Sequence, residues 1–209
     1  MPVSSPNMAK TLSKPFPKLP RLKQKTWDHC GPAVLSMLAG FLGTKIAQDR
    51  FVEAAGVRRK LKKHGMNILE LGLAVTKLLP QYRFWYKANA TVADLDRIIN
   101  HYHQPVGVEW QGDFGKYSDG DDGHYSIITR VNLKTKSLQL ADPFSAFAGN
   151  DRTFTIPNFV SRWWDYNEIA HPKTKRKHKV KDHHMTFTLT VGSRKFPRIL
   201  KMRQVKEDK

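Results

Sequence analysis

Gln24-Lys-Thr-Trp-Asp-His-Cys30-Gly-Pro-Ala33 is the stretch from which the rest of the chain can be read. Directly after it, Val34, Met37, Leu38, Phe41 and Leu42 recur at helical spacing. Pro32 is tolerated only in the first turn of such a helix, so the helix starts close to Cys30. Asp28 precedes the run as the expected cap, and Gly43 is a natural stop. Unpaired N–H groups and the helix dipole favour an anion at that end. A thiol placed there is therefore biased towards thiolate, which is the attacking species in covalent catalysis. A lone cysteine is ordinarily just a small buried apolar residue, so its partners decide the matter.

His124 and Asp142 supply them. Tyr125–Val131 and Ser137–Ala141 read as two short strands joined by the turn-like Asn132–Lys136. Paired residue numbers in an antiparallel hairpin have a constant sum. A turn centred near Lys134 therefore sets residue 124 opposite a position close to 142–144, bringing His124 and Asp142 to one end of the hairpin. A carboxylate so placed holds an imidazole in one tautomer. Gln24, six residues before Cys30, offers a side-chain amide to an oxyanion beside the thiolate, together with the Cys30 N–H. Singly, each has an ordinary reading as a surface His, an Asp-Pro turn or a solvated Gln. Only the set as a whole points to chemistry.

Outward from this set, a short helix is expected over Ala47–Ala55, ended by Gly56, and then a basic linker over Arg58–Lys63. Asn67 caps a helix that runs through Leu79 and is closed by Pro80. Tyr82–Lys87 alternates like a strand, and Thr91–His103 is an amphipathic helix. Val106–Trp110, Leu138–Ala141 and Met185–Val191 read as further strands, and Phe159–Trp164 as a short helix. Helices first and strands later point to an α+β fold with an antiparallel sheet. The expected organisation is a flexible basic arm over 1–20, a domain over 21–192 with a basic insert at 171–184, and a basic tail over 193–209.

Composition sets the limits. A chain of 209 residues, 40% apolar with five Trp and eleven Phe, can bury one sizeable core. Its single cysteine excludes an intramolecular disulfide and fits a reducing, cytoplasmic setting. No apolar stretch reaches transmembrane length, and Met1–Pro20 has no secretory h-region. The net charge of +18 is unevenly spread. Residues 1–26 hold six Lys/Arg and no acid, and residues 171–209 hold thirteen against three acids, whereas residues 27–170 are net +2. Basic ends of this kind either solubilise the chain or contact nucleic acid or another polyanion, without a base-reading motif.

The block Gln24 to Ala33, then Gly123-His124-Tyr125-Ser126, then Asp142-Pro143, resembles the C39 peptidase family. Its members are papain-like cysteine peptidases that process bacteriocin leaders. Phe159-Val-Ser-Arg-Trp-Trp164 also resembles a helix of free-standing relatives. The similarity spans about residues 20–170. It implies a papain-like fold, with Cys30 as nucleophile, His124 as base and then acid, Asp142 as its orienter and Gln24 in the oxyanion hole. It further implies cleavage after a small pair such as Gly-Gly. The best-known members are fused to a transmembrane transporter and a nucleotide-binding domain, and this chain is expected to be free-standing.

The expected activity is thus thiol-dependent peptide hydrolysis through an acyl-enzyme, with a peptide or protein substrate and no cofactor. Two alternatives stay open: transfer of the acyl group to another acceptor, and an inactive peptidase-like module that holds nucleic acid through its basic ends. Asp119-Gly-Asp121-Asp122-Gly123 lacks the remaining ligands of a calcium loop. His178, His183 and His184 lack zinc spacing. No metal site is expected.

Overall fold

The computed structural model describes residues 16–118, 122–170, 174, 176–194 and 196–205. The arm before residue 16, the acidic stretch 119–121 and part of the basic segment after residue 170 lie outside the described residues. Four helices come first, and the apolar spacing predicts all but the third: α1 (Cys30–Phe41), α2 (Gln48–Ala55), α3 (Arg58–His64) and α4 (Ile68–Leu78). Next come β1 (Tyr82–Lys87), α5 (Val92–Asp96) with a π-helical continuation over Arg97–His101, β2 (Val106–Gln111), β3 (Gly123–Asn132) and β4 (Ser137–Ala141). The rest comprises β5 (Asp151–Thr155), α6 (Ile156–Arg162), β6 (Trp164–Ala170), β7 (Lys177–His183), β8 (Thr186–Val191) and β9 (Arg203–Gln204).

Among the described residues, seven strands form one sheet in the order β5-β4-β3-β2-β8-β1-β9, and every pairing is antiparallel. The fold is α+β, as expected. Its central strands are covered on both faces. Tyr125, Ile127, Phe187, Leu189 and Phe84 pack under α1, α2 and α4. Val106, Val108, Trp110, Ile128, Leu138 and Leu140 pack on the other face with Ile98, Phe159 and Trp163. Strand β3 alternates between the two cores as a period-2 element should. A bulge between Ile128 and Arg130 shifts its register on β4, and Val131 then faces the same core as Ile128. Gly107 marks the tightest passage inside the sheet: a Cβ there would lie 2.4 Å from the Phe187 ring.

α1 is the central helix, with Gly31 to Ala39 all buried. Its start is pressed against the sheet. A Cβ on Gly31 would come 3.0 Å from Leu71 and 3.3 Å from the Tyr125 ring, so a side chain at this position would require both neighbours to give way by a few tenths of an ångström. The N-cap is His29 rather than Asp28, and no side chain caps the helix. Asn67, by contrast, builds a full capping box with Glu70 at the start of α4.

Three expectations need correction. Arg58–Lys63 is not a linker but the body of α3, a helix whose charges lie outward and which is pinned by buried Leu61. The basic insert at 171–184 contributes β7, which pairs with the preceding β6 from Trp164↔His183 to Ala170↔Lys177. The domain also extends past both expected limits. Leu19 is buried and Arg21 holds Asp151 at 2.8 Å. At the other end Phe196 and Leu200 are buried, β9 pairs with β1, and Val205 packs on Gly72 of α4.

The C-terminal segment should therefore carry stability. Leu200→Ala is expected to cost about 2–5 kcal/mol, as for other fully buried leucines, measured by urea denaturation. An unchanged denaturation midpoint would mean that residues 193–205 are a mere tail.

Candidate active site

Cys30 is the first residue of α1 and is partly exposed. Three features leave the helix start poor in satisfied N–H groups. There is no side-chain cap, Pro32 has no N–H, and the first intrahelical bond is Ala33 N–H to the His29 carbonyl, 2.9 Å. The Cys30 and Gly31 amides thus have no partner inside the helix.

His124, the second residue of β3, is buried, and its Nε2 lies 2.8 Å from Asp142 Oδ1. The Cys30 sulfur acts on the same imidazole. Burial alone would drive the imidazole neutral. The Asp142 carboxylate and the Cys30 sulfur outweigh it and raise His124 to about 10.

Asp142 immediately follows β4 and is also buried. Its Oδ1 accepts from the Phe144 N–H at 2.9 Å as well as from His124, and its Oδ2 accepts from Arg152 Nη1 at 2.8 Å. Burial opposes the charge, yet His124, the Phe144 amide and Arg152 hold the carboxyl below the usual carboxylate range. Arg152 stands on β5 opposite Leu140. Its second nitrogen donates to the Asp113 carbonyl at 2.6 Å, and its guanidinium lies 3.7 Å from the Phe147 ring centre. Nothing in the sequence points to Arg152, because β5 has no apolar run.

Gln24 is buried beside this group, but its amide nitrogen donates to the Thr26 and Trp27 carbonyls, at 2.9 and 2.7 Å. Its Oε1 has no partner. In this state both amide hydrogens serve its own loop. Donation to an oxyanion requires one of those bonds to be given up.

A second buried group supports the helix start, and no sequence pattern signals it. The Tyr125 hydroxyl donates to Glu109, which lies directly across the β2–β3 ladder. Asn167 donates to the same Glu109 oxygen and to Asp182, each at 3.0 Å. Burial, reinforced by the Asp165 carboxylate, pushes Glu109 up to about 8, against those two hydrogen bonds. At neutral pH Glu109 is therefore largely protonated, and the Tyr125 ring beneath Gly31 is held without a buried net charge. No group of three or more metal-ligating side chains occurs among the described residues.

Residues 16–171 match the profile of the Peptidase_C39 like family. The chain belongs to this family. Its fold is the papain-like fold of C39 cysteine-peptidase domains. It is similar to the peptidase domain of Streptococcus ComA, a bi-functional ABC transporter involved in a quorum sensing pathway. The TM-score is 0.57 at 17% identity, over 83% of this chain and 98% of that one. It is also similar to a double glycine motif protease from an AMS/PCAT transporter, solved in complex with its leader peptide. There the TM-score is 0.53 at 15% identity, over 83% and 92% of the two chains. The chain has no significant sequence match among curated proteins. No helix among the described residues is long and apolar enough to cross a membrane.

The buried pair makes a pH-dependent stability prediction. The raised His124 contributes stability that is complete below its unfolded value of about 6.5 and is lost as pH climbs through about 10. The lowered Asp142 contributes stability that is complete above about 3.9 and is lost as pH falls. Asp142→Asn should thus destabilise most between these limits, by about 3–5 kcal/mol for a broken buried pair. The loss should shrink as pH rises towards 10. Denaturation at pH 6 and pH 10 measures this, and an equal loss at both would contradict the assignment.

Proposed function

We propose that this chain is a peptide hydrolase working through a thioester intermediate. One observation carries the reading: a single buried imidazole, His124, is shared between the Cys30 thiol and the Asp142 carboxylate. In this reading His124 already holds the proton, and the Cys30 sulfur attacks as a thiolate at the carbonyl carbon of the scissile bond. The Cys30 N–H at the start of α1 steadies the resulting oxyanion, aided by Gln24 if its amide turns. His124 then protonates the leaving nitrogen and the C–N bond breaks, leaving a thioester. A water molecule, deprotonated by His124, attacks the thioester and the C–S bond breaks, restoring the thiolate beside a protonated His124. Asp142 keeps Nε2 engaged, so the other ring nitrogen is the one that faces the sulfur. Likeness to the double glycine motif protease supports cleavage after a small pair such as Gly-Gly.

The test is a peptide library containing Gly-Gly sites, read by mass spectrometry with wild type and Cys30→Ala. Cleavage by wild type alone is expected. Products joined to an added amine instead of water would favour acyl transfer. Alkylation of Cys30 by iodoacetamide at pH 6 should be far faster than that of a free thiol, and His124→Ala should abolish the difference. Asp142→Asn should lower kcat by roughly 10²–10⁴ while the fold persists. Gln24→Ala should cost on the order of 10²-fold in kcat if the amide reaches the oxyanion. A change confined to KM would make Gln24 a binding residue instead.

The basic ends support a second, separate reading, a sequence-independent contact with a polyanion. On the outer face of the β6–β7 hairpin Lys181 lies 4.0 Å from the Trp164 ring centre, and Lys179 lies 5.2 Å from that of Tyr166. Neutralising Lys179 and Lys181 should flatten the salt dependence of DNA binding without touching peptide cleavage. Absence of DNA binding by wild type at low salt would remove this reading.

A further inference from the structure

Each of the three segments that carry the catalytic set also carries aromatic side chains, and these converge beside His124. Trp27 comes from the segment between Gln24 and Cys30. Phe114 and Tyr117 come from the segment before His124, and Phe144 from the one after Asp142. The Phe114 ring stands edge-on to the His124 imidazole at 5.0 Å. Phe114 and Phe144 lie 4.7 Å apart, and Trp27 packs on both, at 5.9 and 5.3 Å. Tyr117 extends the row, 5.9 Å from Phe144. The inner rings, Phe114 and Phe144, are each 5% exposed, while the outer ones, Trp27 and Tyr117, keep 46% and 45% of their surface open. Isolated exposed aromatics need no explanation. Two joined through a buried ring and set against the reacting imidazole form a continuous apolar shelf.

We infer that this shelf is the subsite for a large apolar or aromatic side chain on the residue just after the scissile bond, and it rests on the hydrolysis reading above. The direction of the peptide is set by the chemistry. The leaving nitrogen takes its proton from His124, so the residue bearing it lies against His124 and hence against Phe114 and Trp27. A bulky apolar side chain is thus favoured on the leaving side. Flat rings also suit stacking with an aromatic side chain in offset or edge-on geometry. Selection on the leaving side of the cut is a distinct property from the small pair proposed to precede it.

The test uses the full chain carrying Cys30→Ala, so that binding is read without turnover. Two probes are compared, acetyl-Ala-Gly-Gly-Phe-Lys-amide and acetyl-Ala-Gly-Gly-Gly-Lys-amide; affinities in every variant are measured by calorimetric titration, and the Trp27 indole N–H signal is followed by NMR in the variants that keep Trp27. The phenylalanine peptide should bind about tenfold tighter and shift the Trp27 signal. That advantage should fall to about threefold or less when Trp27→Ala is added. Tyr117→Ala, at an exposed site, should reduce it as well and serves if the Trp27 variant fails to fold. Equal affinity for the two peptides, no saturable binding, or an advantage untouched in every folded variant overturns the inference. The two readings fail separately. If wild type cleaves neither peptide while the phenylalanine preference holds, the subsite stands and hydrolysis falls. If wild type cleaves both at equal efficiency and binding shows no preference, the subsite alone falls.

Discussion

A buried carboxylate cannot be left short of partners, and Asp142 organises its surroundings accordingly. Its two oxygens take an imidazole from β3, a backbone N–H from its own loop and a guanidinium from β5. Removing a charge from water costs several kcal/mol per ion after relaxation, so all three donors must be held together for the carboxylate to persist. Arg152 spreads that requirement further, because the same guanidinium grips the Asp113 carbonyl ahead of His124. Stacking on Phe147 and Phe154 holds it in place. The segments before His124 and after Asp142 are thereby tied to one charge, and the imidazole between them has little freedom to turn.

Cys30 is positioned by a different force. α1 is apolar on nearly every side, so it is driven into the core as a whole, and its start is located by contact. Gly31 allows the backbone onto Leu71 and the Tyr125 ring. Tyr125 is in turn set by a hydrogen bond to Glu109, a carboxyl that burial keeps largely neutral at neutral pH. Tyr125 is the residue after His124, so one strand both supports the helix that carries the thiol and carries the imidazole that meets it. Sheet and helix come into register through β3.

The limits of a sequence reading show in particular elements. α1, α4 and β1 to β4 are legible because their apolar residues keep a clear period and their ends bear a cap, a glycine or a proline. α3 looks like a linker in sequence because Leu61 is its one buried residue, too little for a pattern. β5 and the β6–β7 hairpin have polar or charged residues on both faces, and they are strands because neighbouring edges pair with them. The segment after residue 192 reads as tail from its charge. What holds it in place is the burial of Phe196 and Leu200 between its lysines and arginines.

By itself, the order of residues determined the fold class, the helix that begins at Cys30, and the hairpin whose far end bears His124 and Asp142. These come from local rules: proline and glycine punctuation, the 3.6 and 2.0 periods, and the fixed register of a short antiparallel turn. Only the tertiary structure decided which groups complete the site. Arg152 reaches Asp142 because β5 pairs with β4, Glu109 stands under Tyr125 because β2 pairs with β3, and the aromatic shelf exists because three separate segments meet. The Gln24 amide likewise turns to its own loop through contacts that no spacing predicts. Side chains distant in the chain are brought together by the burial of everything around them, and that depends on the packing of the whole molecule rather than on any local pattern.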